Sequence, residues 1–396
     1  MIGYLARCHR HIFADFRATI SSGINARLMV LTTIFFLELG VIGGLLGPAS
    51  VGHLLFRRGE YEAAAKWFRR AYTMSRIAPK RRVAMMCNLC ACYVHLGDYA
   101  QAQPYAEDAI REAEKRDQHH TLAIARLYYG VILIRLGDFD RALTTLTGVL
   151  SEIAPNSSMR PLAELYHASA LLNIGRLEDA AKSAEALRQN PKIDPDIRIL
   201  AEYTLAECLY FSGKTPEALA IVKKAMENKP KAGWIIPLLR GEHLLFLVET
   251  GRMLEAKEAE PKLMGILAKQ TPSIQSAILR ASALLALRSG DLDRARQRAG
   301  EACALDPNPN AQAAALLIQA EIFRTRHNTH RTQTLCEDIL QLNALAFFKN
   351  RAQALLDNLD IPEEKEAIES NDTDENETND VISENSLHQE TVEPRD

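Results

Sequence analysis

A turn signature recurs along this chain at a nearly fixed interval, and it restricts the possible folds more than any other feature. Each instance has a Gly, a polar residue, an apolar residue, and an Ala three positions after the apolar one. The copies are Gly59-Glu60-Tyr61 with Ala64, Gly97-Asp98-Tyr99 with Ala102, Gly137-Asp138-Phe139 with Ala142, and Gly175-Arg176-Leu177 with Ala180. Gly213-Lys214-Thr215 with Ala218, Gly251-Arg252-Met253 with Ala256 and Gly290-Asp291-Leu292 with Ala295 follow, and His327-Asn328-Thr329 with Thr332 is an eighth, degenerate copy. Successive spacings are 38, 40, 38, 38, 38, 39 and 37 residues. A period in this range denotes stacked units of one supersecondary type rather than a single globular core.

Each position in the signature has a physical role. Gly adopts the left-handed conformation that ends a helix, and Asp98, Asp138 and Asp291 are placed to cap the free amides of the next one. Thr215-Pro216 replaces that cap, with proline at a first-turn site where its missing donor costs nothing. The apolar residue fills the gap between paired helices, and the Ala beyond it lets two backbones approach. Pro261 falls inside the expected second helix of the sixth copy and should kink or shorten it.

These residues resemble the tetratricopeptide repeat family. Small residues stand seven positions before the turn (Gly52, Cys90, Gly130, Ala168, Ala206, Ala283) and twelve after it (Ala71, Ala109, Ala225, Ala302), with closing prolines at Pro230 and Pro307. The resemblance covers about three quarters of the chain. It implies an all-α, right-handed superhelical solenoid of about eight helix-turn-helix repeats over residues 48–346, with a capping helix at 347–361. The period departs from the family's ~34 residues, which implies longer helices or linkers, and the sixth and eighth copies match poorly.

In this family the first helix of each hairpin lines a concave groove. Counting back from each turn Gly, the groove positions are Cys87, Ala91, Val94, Leu127, Val131, Ile134, Leu165, Ser169, Leu172, Tyr203, Glu207 and Tyr210, and then Leu245, Val248, Leu284 and Leu287. This is a mainly apolar set, suited to an amphipathic helix or hydrophobic peptide from a protein partner. It lacks the Lys and Asn pattern with which tetratricopeptide clamps hold chaperone C-termini. The alternative is that long helices curl the superhelix tightly and these side chains pack on one another.

Outside the repeats, residues 28–47 read LMVLTTIFFLELGVIGGLLG, with Glu38 as the single charge. Twenty such residues span roughly 30 Å as a helix, about the thickness of the hydrocarbon core. The expectation is a transmembrane helix behind a basic segment at 1–27. A buried first helix, or a signal peptide ending near Gly47-Pro48-Ala49, are the other readings. Residues 362–396 hold 13 Asp and Glu against Lys365 and Arg395, a net of −11. The whole chain carries −3, which leaves +8 on residues 1–361. The tail has too little apolar surface to fold and should be disordered. The basic residues of the body are dispersed and accompany no nucleic-acid reading motif.

Seven cysteines, an odd number without secreted-domain spacing, suggest free thiols in a reducing compartment and hence a cytoplasmic solenoid on a single-pass membrane protein. Cys87-Asn88-Leu89-Cys90-Ala91-Cys92 has C-x-x-C spacing, but it sits mid-helix and has no second pair at zinc spacing, so packing is expected there. Cys8, His9 and His11, and the pair His119-His120, are weaker still as ligand sets. No motif for a nucleophile, a phosphate loop or a metal site is present. The sequence therefore points to a membrane-anchored tetratricopeptide scaffold that binds protein, the alternatives being a soluble regulatory module of the same repeats or an exported one with a cleaved signal peptide, with no cofactor, metal, nucleic acid or small-molecule substrate expected and no enzymatic activity.

Overall fold

The turn signature does in the structure what its chemistry dictates. All seven turn glycines have positive φ, from +74° at Gly251 to +86° at Gly175, and His327 takes the same conformation at +57° in the eighth copy. At Gly97 the ending is a six-to-one pair: Asp98 N donates to Tyr93 O at 3.0 Å, and Gly97 N to Val94 O at 3.1 Å. The same bond recurs at every later turn, through to Asn328 N on Phe323 O at 2.9 Å. The residue that closes each signature is fully buried: Ala64, Ala102, Ala142, Ala180, Ala218, Ala256, Ala295 and Thr332 all have 0% exposure.

The structure, a computed structural model, describes residues 47–359. Among these residues it contains seventeen α-helices and no strand. They are α1 (47–57), α2 (Tyr61–Met74), α3 (Pro79–Leu96), α4 (Tyr99–Lys115), α5 (His119–Leu136), α6 (Phe139–Glu152), α7 (Arg160–Asn173), α8 (Leu177–Gln189) and α9 (Pro195–Phe211). The rest are α10 (Thr215–Ala225), α11 (Ile235–Glu249), α12 (Met253–Met264), α13 (Pro272–Arg288), α14 (Leu292–Leu305), α15 (Pro309–Thr325), α16 (Thr329–Gln341) and α17 (Ala346–Asp357). Consecutive helices pack as hairpins, and the first helix of one hairpin also packs on the first helix of the next, as a solenoid requires. These helices belong to one unit ending at Asp357; a second, Asn358–Asp396, lies almost wholly outside the described residues.

Capping follows expectation at Asp98, which accepts from Gln101 N at 3.1 Å, and at Asp291, which accepts from Arg294 N at 3.2 Å. It does not at Asp138, which caps no amide and instead takes Arg141 Nη1 at 2.9 Å. Asp291 likewise pairs with an arginine three residues on, Arg294 at 3.3 Å, and keeps its cap, so the ion pair and the cap are compatible. Pro261 lies inside α12, which continues past it to Met264 and packs only lightly on α13. Helix α11 fills the space by lying along α13, close enough that a Cβ on Gly241 would stand 3.3 Å from Ile278 Cγ1.

The transmembrane reading concerns residues that, apart from Gly47, lie outside those described, as does the acidic tail. Among the described residues no helix is long and apolar enough to cross a membrane. Of the C-x-x-C residues, Cys90 is 1% exposed and Cys92 0%, packed against Ala64, Phe68 and Leu89. Burial pushes the Cys87 and Cys92 thiols up to about 12, which makes them small apolar side chains rather than nucleophiles.

Candidate functional site

The superhelix winds tightly enough to meet itself. The Asn308 amide Nδ2 donates to Ile134 O at 2.9 Å across 174 residues of chain, and Asn343 Nδ2 donates to Gly137 O at 3.0 Å. A Cβ on Gly137 would stand 2.4 Å from Pro309 Cγ, and one on Gly97 would stand 3.0 Å from Pro272 Cδ. One residue register thus recurs: the turn of an early hairpin rests on the N-terminus of a first helix roughly four and a half repeats later. Local sequence explains why these N-termini suit the contact. Pro272 and Pro309 have no amide to leave unpaired, and Asn308 caps α15 through Asn310 N at 2.9 Å while spending its own amide on Ile134. Asn310 adds a link to Asn173 at 2.9 Å and accepts Leu345 N at 2.7 Å.

Closure converts the concave face into a cavity of about 280 Å³, lined from Tyr61 in α2 to Arg351 in α17. Ten of the groove side chains expected from sequence, namely Val94, Val131, Ile134, Leu165, Ser169, Leu172, Tyr203, Tyr210, Leu245 and Leu284, line it, as does Glu207. Cys87, Ala91 and Leu127 do not; they are 4%, 4% and 2% exposed within the packing between helices, and Val248 and Leu287 are likewise core. The early hairpins therefore turn part of the expected face into their own interior.

The lining is far less apolar than the sequence suggests. Beside the aliphatic wall stand Arg135, Tyr166, Glu207, Glu242, Glu249, Arg280, Asp306, Glu321 and Arg351. Glu249 and Glu321 have partners: Arg351 Nη1 lies 3.3 Å from Glu249, Arg288 Nη1 lies 3.0 Å from Glu321, and the Tyr210 hydroxyl donates to Glu249 at 3.1 Å. Glu207 and Glu242 have no cation within 4.0 Å among the described residues. Burial, with Glu242 as like-charged neighbour, pushes the Glu207 carboxyl up to about 8; burial also raises Glu242. Arg135 stays protonated against its desolvation because Tyr99, Asp306, Tyr203 and Glu207 surround it.

Aromatic side chains close the N-terminal part of the lining. His95 stacks on Tyr61 with centroids 4.5 Å apart and planes 8° from parallel, and it stands 6.3 Å from the Trp234 ring. Burial pushes the His95 imidazole down to about 4, so it is neutral in this stack.

Of the charged lining, counting back from the turn glycines found only Glu207. The same count would have found Arg280, which stands ten positions before Gly290 as Tyr203 stands before Gly213. Asp306 and Asn308 reach the cavity only through closure, which leaves no local signal.

The tetratricopeptide repeat family model matches residues 81–150, which run from α3 into α6 and include the turns at Gly97 and Gly137. No curated protein matches the chain in sequence. Among solved structures, the chain is similar to a tetratricopeptide repeat protein from Parabacteroides merdae, at 17% identity and a TM-score of 0.42, over 69% of this chain and 97% of that one. It is similar to the apo form of the quorum sensor NprR from B. thuringiensis, at 12% identity and a TM-score of 0.45, over 85% and 94% of the two chains. A Rap protein complexed with competence and sporulation factor is also similar, at 14% identity and a TM-score of 0.39, over 87% and 81%.

Proposed function

We propose that this chain is a protein-interaction module that holds a segment of another protein in its central cavity and catalyses no reaction. The observation behind this reading is the cavity itself: the first helices of successive hairpins converge on an interior space that carries both an aliphatic wall and two carboxyl groups, Glu207 and Glu242, that the fold leaves without a cation within 4.0 Å. A purely structural interior would fill such a space or pair its charges, because a buried unpaired carboxylate is costly. The aliphatic part of the lining suits a hydrophobic peptide or the apolar face of an amphipathic helix from the partner.

The apolar run at 28–47 supports a finer proposal, that the module works on a membrane surface. Carbonate extraction of membranes tests the tether: full-length protein in the pellet agrees with it, and release to the supernatant opposes it. The cavity is tested by placing a photoreactive benzophenone side chain at Leu165, which lines it, and at Leu254, which is 80% exposed. Specific peptide adducts from Leu165 that are absent from Leu254 are the expected result; identical adduct patterns would remove the cavity from the account.

A further inference from the structure

The carboxylates of the cavity are paired in one part and unpaired in another. Glu249 and Glu321 are both in contact with Arg351, and Glu321 also with Arg288, which reaches it from outside the lining. At the centre, Glu207, Glu242 and Asp306 face Arg135 and Arg280, three against two. Asp306 is engaged, accepting Asn308 N at 3.1 Å and acting on Arg135. Arg280 donates to Ser276 Oγ at 3.4 Å and acts on both glutamates only at a distance. The group left over is Glu242. It is 7% exposed, lines the cavity, and makes no hydrogen bond or ion pair among the described residues.

Other groups that act on the glutamate pair or border it give no relief. Tyr203, one turn before Glu207 on α9, contributes a hydroxyl rather than a charge, and Tyr210 is already donating to Glu249. Arg135 comes from α5 and shares its field with Asp306. No histidine or lysine lines this region; His95, the sole histidine of the lining, is in the aromatic stack. With every group ionised the site is short of one positive charge, which a proton on the glutamate pair supplies when no ligand is bound; Leu245, one turn from Glu242 on α11, and Leu284 line the same cavity.

We propose that the cavity binds a ligand through one cationic group, an ammonium or guanidinium, seated at Glu207 and Glu242 with its aliphatic stem against Leu245 and Leu284. A single monovalent cation completes the charge count, and its stem uses the wall that a bare inorganic ion would leave empty. The same chemistry is offered by a free alkylamine and by a lysine or arginine side chain of a partner protein. The inference rests on the cavity being a ligand site, as proposed above, and deepens that reading by naming what the site recognises. Both raised carboxyls agree with it: at neutral pH the pair holds a proton, which a bound cation displaces.

The test uses purified full-length protein and isothermal titration with n-butylammonium chloride against n-butanol, which share the stem and differ in charge. Capped Leu-Lys-Leu and Leu-norleucine-Leu tripeptides form a second arm. The expected results are at least tenfold tighter binding of n-butylammonium than of n-butanol at pH 7.5, and release of protons seen as a dependence of the heat on buffer ionisation enthalpy. Glu242→Gln and Glu207→Gln should each remove that preference without lowering the unfolding midpoint. Equal affinity for the two probes, no binding of either up to the millimolar range, or a preference that survives both substitutions overturns the inference. Selective amine binding with no binding of either tripeptide upholds the cationic subsite and counts against a peptide occupant. Peptide adducts from Leu165 together with equal binding of amine and alcohol do the reverse.

Discussion

Gly137→Ala separates what the turn needs from what closure of the superhelix needs. Alanine at φ +83° takes on the left-handed penalty of about 1–2 kcal/mol. Its Cβ would also stand 2.4 Å from Pro309 Cγ and 2.6 Å from Cδ. A proline ring cannot rotate away, and it is held by the cap of Asn308 on α15, so relief requires backbone movement of about 1 Å and an overpacking cost of about 1–3 kcal/mol. The total is about 2–5 kcal/mol. Gly213→Ala provides the reference, because Gly213 has φ +79° and nothing within 4 Å of its Cβ position; it should cost only the first component. Gly97→Ala, with its Cβ 3.0 Å from Pro272 Cδ, should fall between them. Urea titrations followed by circular dichroism give the ranking as midpoint shifts, and amide exchange at the start of α15 should accelerate in Gly137→Ala alone. Equal destabilisation by Gly137→Ala and Gly213→Ala would refute the reasoning, since the turns would then matter only locally.

Other consequences are as concrete. A carboxyl whose proton affinity is raised on folding binds protons that the unfolded chain has released, so its contribution to stability is present below about pH 4.5 and is lost as pH rises through about 8. Between pH 6.5 and 8, above the range in which neutral His95 acts in the opposite sense, wild-type stability should therefore fall with pH, and Glu207→Gln should flatten that slope; an unchanged slope contradicts the assignment. Leu127→Ala, at a 2% exposed core site, should cost about 2–5 kcal/mol, whereas Leu245→Ala on the cavity wall should cost clearly less. Ellman titration should label Cys303, the half-buried thiol of the six described, before Cys87, Cys90 and Cys92, which should react only on unfolding.

The comparison of sequence with structure divides along the range of the interactions. The hairpins were legible because each turn depends on residues within one repeat: a Gly at positive φ, a six-to-one bond, and an Ala with no exposed surface three positions past the plug. Asp138 departs from its copies in capping no amide, although Asp291 pairs with Arg294 at the same spacing and keeps its cap, so the residue pattern does not distinguish the two. The groove was legible in direction, since Val131, Leu172 and Leu245 face the cavity as counted. Its chemistry was not, because the count favoured apolar residues and passed over Arg280, and because Asp306 and Asn308 arrive from a repeat far along the chain. Closure itself left only indirect marks. Pro272 and Pro309 read as helix starts, and nothing in their neighbourhood reveals that Gly97 and Gly137 lie against them. The period near 38 permitted a tight curl as one of two readings, and the contact of Asn308 with Ile134 is what distinguishes them.

Cross-linking across the closure measures the central claim most directly. A photoreactive benzophenone side chain at the exposed Asn343, which donates to Gly137 O, is irradiated in full-length protein at high dilution, and intramolecular products are mapped by mass spectrometry. The account predicts a major adduct within the turn at residues 134–139. Adducts confined to α16 and α17, with none at that turn, would mean that the solenoid stays open and that the cavity does not form.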